Sequence, residues 1–148
     1  MKYFFIFLTM CSLTTYAQSD EEGAKVPINQ FFEGMRTSDS NMIKASLAPN
    51  AILQTITKTK EGKTVVRSED VARFITGVTQ PHDEVYDERI TFNTIKIDGD
   101  LATVWTPYQF YVGTKFSHCG VNSFQLVKLD GAWKIQYIID TRRKEGCL

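Results

Sequence analysis

Residues Ser123–Ile135 read S-F-Q-L-V-K-L-D-G-A-W-K-I. Asp-Gly at 130–131 stands between two alternating apolar runs, which is the strongest short-range hairpin signal a sequence offers. Taking Asp130 and Gly131 as the two turn residues pairs Leu129 with Ala132 and Leu126 with Ile135. The reading of this hairpin sets the register from which the rest of the sheet is worked out.

Working backwards, Gly113-Thr114 turns a long strand, Leu101 to Val112, into Lys115 to Leu129. Asp98-Gly99-Asp100 turns Arg89 to Ile97 into Leu101. Working forwards, Ala132 to Arg142 is the last strand. Residues 80–88 (Q-P-H-D-E-V-Y-D-E) read as an acidic loop or irregular strand start. Glu61-Gly62-Lys63 joins two shorter strands, 51–59 and 64–67.

Helical spacing governs the N-terminal part. Ile28, Phe31, Phe32 and Met35 recur at three to four residues, and Pro27 suits a first helical turn. Ser38 or Asp39 caps a second helix through Met42, Ile43 and Leu47, ended by Pro49-Asn50. A third opens at Ser68-Glu-Asp, with Val71, Phe74 and Ile75 on one face. Helices preceding and interrupting a meander of long strands predict an α+β fold. Its N-terminal helices pack on a strongly curved antiparallel sheet, a cone with one cavity.

The hairpin Ser123–Ile135, together with V-W-T-P-Y-Q-F-Y (Val104–Tyr111), F-S-H-C-G (Phe116–Gly120) and D-T-R-R-K (Asp140–Lys144), resembles the nuclear transport factor 2-like superfamily. The likeness runs over about residues 26–142. Small exported bacterial members of that superfamily carry labels such as "putative lumazine-binding", SnoaL-like or ketosteroid isomerase-like. The resemblance implies a ligand cavity inside the cone and a homodimer formed through the convex face. Where members are enzymes, it implies an Asp, Glu or His base within the cone. The fold alone does not choose among enzyme, binder and partner-binding module.

Unbroken alternation from the 113–114 and 130–131 turns gathers one aromatic face: Trp105, Gln109, Tyr111, His118, Asn122, Phe124, Leu126, Trp133, Ile135, Tyr137 and Ile139. We assign it to the concave side. Phe124, Leu126 and Ile135 are core filling. Trp105, Gln109, Tyr111, His118, Asn122 and Tyr137 are the candidate pocket, a few polar groups in an aromatic wall suited to a small apolar or aromatic ligand. No carboxylate falls on this face. Asp140 goes to the opposite one, opposing Val121 in a solvated cluster with Arg142 or Lys144. His118, with Tyr111 or Tyr137, is therefore the one candidate general base. Gly120 leaves room for a ligand or a bend. His82 reads as a surface turn, and Asp39 as a cap. The outward face would carry Val104, Tyr108, Phe110, Val112, Val121, Val127 and Ile138, an apolar surface suited to a dimer contact.

The chain opens M-K-Y-F-F-I-F-L-T-M-C-S-L-T-T-Y-A-Q. A single lysine, an apolar run from Tyr3 to Leu13 and small residues up to Ala17 make residues 1–17 a signal peptide, cut after Ala17. The alternative is a lipoprotein anchored at Cys11, disfavoured by the bulky Met10. Residues 18–25 read as a flexible leader, and 26–148 as one domain. The exported protein would be periplasmic or secreted. The 17 basic residues become 16 without Lys2, against 17 acidic ones. That balance excludes nucleic-acid and membrane-surface partners for the mature chain. Cys119 and Cys147 then form an even pair that is either a disulfide or two free thiols, with Cys119 opposite Arg142 on the outer face. Scattered His and Cys give no metal-site spacing, so neither metal nor cofactor is expected.

Overall fold

The computed structural model describes the backbone of residues 13–147 and the side chains from Asp20 onward. Of the expected export segment, residues 1–12 lie outside the described residues, and 13–17 begin the first helix. That helix, α1, runs Leu13–Arg36. The expected flexible leader at 18–25 is therefore helical. Ala24 is fully buried, and the Asp20 carboxylate holds Lys128 Nζ at 2.7 Å. Pro27 is not at the helix start but well inside it. Its missing N–H gives up the bond to Gly23, four residues earlier. Gly23 in turn packs so close to Trp133 that a Cβ there would sit 3.2 Å from the indole. Burial of Ala24, Ile28, Phe31, Phe32 and Met35 along one stripe outweighs that loss.

Helix α2 (Ser40–Ser46) is capped by Asp39, whose carboxylate accepts from the amides of Asn41 at 2.9 Å and Met42 at 3.0 Å. It ends one residue before Leu47, and the chain passes directly into β1 (Leu47–Lys58). Pro49-Asn50 thus lies within an irregular strand start rather than a terminating turn, with Asn50 at φ 60°. Strand β2 (Thr64–Glu69) completes the hairpin, and Asp70 caps α3 (Val71–Thr79) through the Arg73 amide at 2.8 Å. The segment expected as one strand to Ile97 is two, β3 (Tyr86–Ile90) and β4 (Thr94–Asp98), both antiparallel to β5 (Leu101–Val112). Strands β6 (Lys115–Leu129) and β7 (Ala132–Arg143) follow.

The sheet has seven strands in the order β2-β1-β7-β6-β5-β3, with β4 also on β5. It is mixed, because β1 runs parallel to β7. The expectation of a wholly antiparallel sheet fails there: α2 returns the chain so that β1 enters beside β7 in the same direction. The helices pack on the inner face, where Phe124, Leu126, Ile135 and Val104 are fully buried. Phe32 meets Phe124 edge-on at 6.1 Å.

Two bulges decide which side chains face inward. Residue pairs follow the turn-derived register from Val112↔Lys115 to Tyr111↔Phe116, but the next pair is Phe110↔His118, leaving Ser117 extra in β6. From Leu129↔Ala132 the second hairpin keeps register to Leu126↔Ile135. The next pair is Gln125↔Tyr137, leaving Gln136 extra in β7. One extra residue exchanges the two faces of a strand from that point on. So Thr106, not Trp105, opposes Asn122, and Cys119, not His118, opposes Gln109. Asp140, not Ile139, opposes Asn122, and Arg143, not Arg142, opposes Cys119.

Cys119 lies buried on the outer face and is bonded to Cys147, closing 28 residues of sequence and pinning the tail against the sheet. A closed loop of this length stabilises by about 2–4 kcal/mol. Cys147→Ser should lower the denaturant midpoint, and the unfolding free energy derived from it by that amount, without changing the far-ultraviolet circular dichroism. An unchanged midpoint would mean that the bond does not constrain the folded chain.

Candidate functional site

A cavity of about 300 Å³ lies between the concave face of the sheet and the helices. Its apolar wall is built from α1 (Phe31, Phe32, Met35), α3 (Phe74, Val78), Phe110 of β5 and Ile138 of β7. Phe31 and Phe74 stack with parallel planes at 5.6 Å between centroids. Leu53, Gln54 and Thr55 of β1 and Glu69 of β2 close the side nearest the sheet edge. His118 and Asn122 of β6, Glu88 of β3, and Asp140 and Arg142 of β7 supply the polar side.

Of the six candidate pocket residues, the structure brings His118 and Asn122 to this wall. Trp105, Gln109, Tyr111 and Tyr137 belong to the other face of the sheet, a consequence of the two bulges. Trp105 is 45% exposed. The Tyr111 hydroxyl donates to Gln109 at 2.8 Å, and Arg89 lies 4.2 Å over its ring. The Tyr137 hydroxyl donates to Gln54 Oε1 at 2.6 Å. Neither tyrosine is therefore an acid–base partner for His118. Conversely, Val104, Tyr108, Phe110 and Ile138, expected to face outward, belong to the inner face.

The expectation of a cavity wall without carboxylates is overturned: Glu69 stands at its edge, and Asp140 and Glu88 on its polar side. Asp140 is 8% exposed, and its Oδ2 accepts from Arg142 Nε at 2.9 Å and from the Tyr108 hydroxyl at 3.2 Å. The pairing of Asp140 with Arg142 holds, but it sits on the cavity side rather than in a solvated outer cluster. Glu88, expected in a loose acidic segment, is on β3 opposite Phe110, so it points inward. Its Oε1 accepts from Asn122 Nδ2 at 2.8 Å. The alternation Tyr86, Glu88, Ile90 against Asp87 and Arg89 was the available signal. His82 is not a free surface turn either: its ring stacks on Tyr86 at 4.3 Å and its Nε2 lies 3.3 Å from Ser38.

These surroundings shift the titrations. Burial pushes the Glu88 carboxyl up to about 7, against the Asn122 hydrogen bond, with Asp140 raising it further and Arg142 opposing. Burial likewise holds the His118 imidazole below its ordinary value, helped by Arg142 and opposed by Asp140. The Tyr108 phenol is driven well above its usual range by burial and then by Asp140. At neutral pH the cavity thus holds a neutral imidazole, an ion pair, and a carboxyl near its midpoint. His118 lies between aromatic rings, with Phe110 at 5.0 Å and Tyr108 edge-on at 5.7 Å.

Gly120 does not leave room for a ligand. A Cβ there would meet the Thr141 carbonyl oxygen at 1.8 Å and Tyr108 Cε1 at 2.7 Å. Its missing side chain is what lets Tyr108 reach Asp140 and the Thr141 carbonyl, the latter at 3.0 Å.

The family model described as "Putative lumazine-binding" matches residues 19–137. No protein of curated function matches the chain. Similar solved structures include a nuclear transport factor 2-like protein of unknown function from Shewanella baltica, at 14% identity and TM-score 0.64, covering 88% of this chain and 98% of that one. A protein from Streptomyces avermitilis described as a "putative dehydratase from the NTF2-like family" is 14% identical with TM-score 0.67, covering 86% and 98%. A Nostoc punctiforme protein of unknown function with a cystatin-like fold is 13% identical with TM-score 0.65, covering 86% and 93%. At these identities the likeness is one of fold.

Two outcomes are expected from this geometry. Gly120→Ala should destabilise by about 3 kcal/mol, because the atoms it would strike are a backbone carbonyl and a packed ring; thermal denaturation measures it. A carboxyl raised from 4.5 to about 7 on folding costs stability as pH rises through that interval, and the full cost persists above it. Glu88→Gln should therefore be nearly neutral at pH 4.5 and more stable than wild type at pH 8. The gain is roughly 2 kcal/mol, discounted because the cavity admits water. Equal stability differences at both pH values would contradict the raised carboxyl.

Proposed function

The chain belongs to the family described as "Putative lumazine-binding", within the nuclear transport factor 2-like fold, and from that premise we propose that it is a small-molecule-binding domain. The carrying observation is the cavity itself: aromatic walls on the helix side and a compact polar cluster on the sheet side. That division suits a flat, mostly apolar molecule with one polar edge. Titrating nitrogen-15-labelled protein with indole or benzyl alcohol should give saturable amide shifts centred on Phe110, Asn122 and Ile138. Val78→Trp, which fills the cavity from α3, should abolish them while the spectrum stays dispersed. Shifts scattered over the outer face, or none that saturate, would sink the reading.

A second reading is an enzyme of isomerase, cyclase or hydrolase type. Its support is the carboxyl of Glu88, poised near neutrality in an apolar cavity. Glu88 is a better candidate base than His118, whose lowered basicity and aromatic surroundings weaken it.

We further propose that the chain is exported to an oxidising compartment, which the Cys119–Cys147 bond supports. The convex face, with Trp105 and Phe116 exposed, is the proposed homodimer surface. Trp105→Arg should shift the sedimentation coefficient to that of a monomer.

A further inference from the structure

We propose that the cavity selects a flat organic cation, an aryl amidinium or aryl amine, over an anion of the same shape. The inference rests on the small-molecule reading above and deepens it by naming the charge of the ligand.

The charges on the wall do not cancel. Glu69, Glu88 and Asp140 line the cavity against a single guanidinium, that of Arg142. Arg142 is already committed, its Nε donating to Asp140 at 2.9 Å, so this pair presents little net charge to an incoming ligand. Glu88 is bound differently. Its contact is the neutral Asn122 amide, and among the described residues no Lys, Arg or His forms an ion pair with it. When ionised it is a carboxylate with no cation in direct contact, Arg142 acting on it only from a distance, and a ligand cation supplies that contact.

The opposite wall points the same way. Phe31 and Phe74 present parallel rings, and Phe110 and Tyr86 add two more beside the polar side. Ring faces carry negative electrostatic potential and attract a desolvated cation, Arg and aryl amidinium alike. An anion would meet Glu88 and Glu69, with only the compensated Arg142 in its favour.

The groups facing Glu88 fix the sign of the pH dependence. Tyr108 of β5 stays neutral, and Asp140 and Arg142 of β7 stay paired. His118 of β6 loses its proton below its ordinary value. From α1, Glu33 and Arg36 line a groove that also holds Asp87, Glu88 and Ile90 of β3, and they pair with each other at 2.6 Å. Glu69 lies at the sheet edge, and α3 contributes only apolar side chains to the wall. Between pH 6 and 8 the change within the cavity is therefore the ionisation of Glu88, with residual deprotonation of His118 acting in the same direction.

Three probes of one shape test this by nuclear magnetic resonance or calorimetric titration: benzamidine, benzoate and benzyl alcohol. Benzamidine should bind best, with affinity rising about tenfold from pH 6 to pH 8 as a group with midpoint near 7 ionises. Glu88→Gln should remove both the preference over benzyl alcohol and the pH slope. The wild-type pH profile decides the matter even if that variant folds poorly. Tighter binding of benzoate, or of benzyl alcohol, would overturn the charge selection and leave the small-molecule reading standing. Binding of none of the three would overturn both.

Discussion

A β-strand accommodates one extra residue only by exchanging its two faces beyond that point, and this constraint organises the cavity. Ser117 in β6 and Gln136 in β7 are the inserted residues. The first places Phe110 and Tyr108 inside and leaves Trp105 and Gln109 outside. The second turns Ile138, Asp140 and Arg142 inward beyond a conventional core pair, Leu126 and Ile135. Had either strand kept its period, the cavity would be lined differently, and without the β7 insertion the carboxylate of Asp140 would face the other side of the sheet. Both insertions also bend their strands, which is how strands of 15 and 12 residues curl around three helices rather than lying flat.

Turning charge inward has an electrostatic consequence that the local contacts only partly offset. Asp140 is met by a guanidinium and a phenol, its carboxylate buried and the Arg142 side chain half exposed. Glu88 is met by an amide, a neutral partner, and Arg142 acts on its charge only from a distance. The outcome is one wall that carries both an ion pair and, at Glu88, a carboxyl that titrates near neutrality. His118, packed between two rings, contributes shape and a neutral nitrogen rather than charge.

The end of β7 that carries these groups is held from two sides. Gly120 admits the Tyr108 ring and the Thr141 carbonyl at distances no side chain would allow. One residue away on the opposite face, Cys119 ties the tail through Cys147. Neighbours in sequence thus act on opposite sides of one strand: one allows the cavity floor to close, and the other fastens the chain that leaves it.

The residue types and their periodicity alone determined three helices and a following meander of strands, the turns at 113–114 and 130–131, a cap at Ser38 or Asp39, and a helix-on-sheet cone. These depend on interactions a few residues apart, which the sequence displays directly. His118 and Asn122 could be placed on the cavity wall because they lie on the same side of the first bulge as the core residues used to orient the sheet. The helical course of 18–25 and the position of Pro27 depend on Gly23 and Asp20 reaching Trp133 and Lys128 across the core and its rim, which no local pattern displays. Glu88, Asp140 and Arg142 were decided only by tertiary structure. A bulge leaves no residue-type signature in Ser117 or Gln136, and its position is set by how neighbouring strands and helices pack, over separations no local pattern encodes.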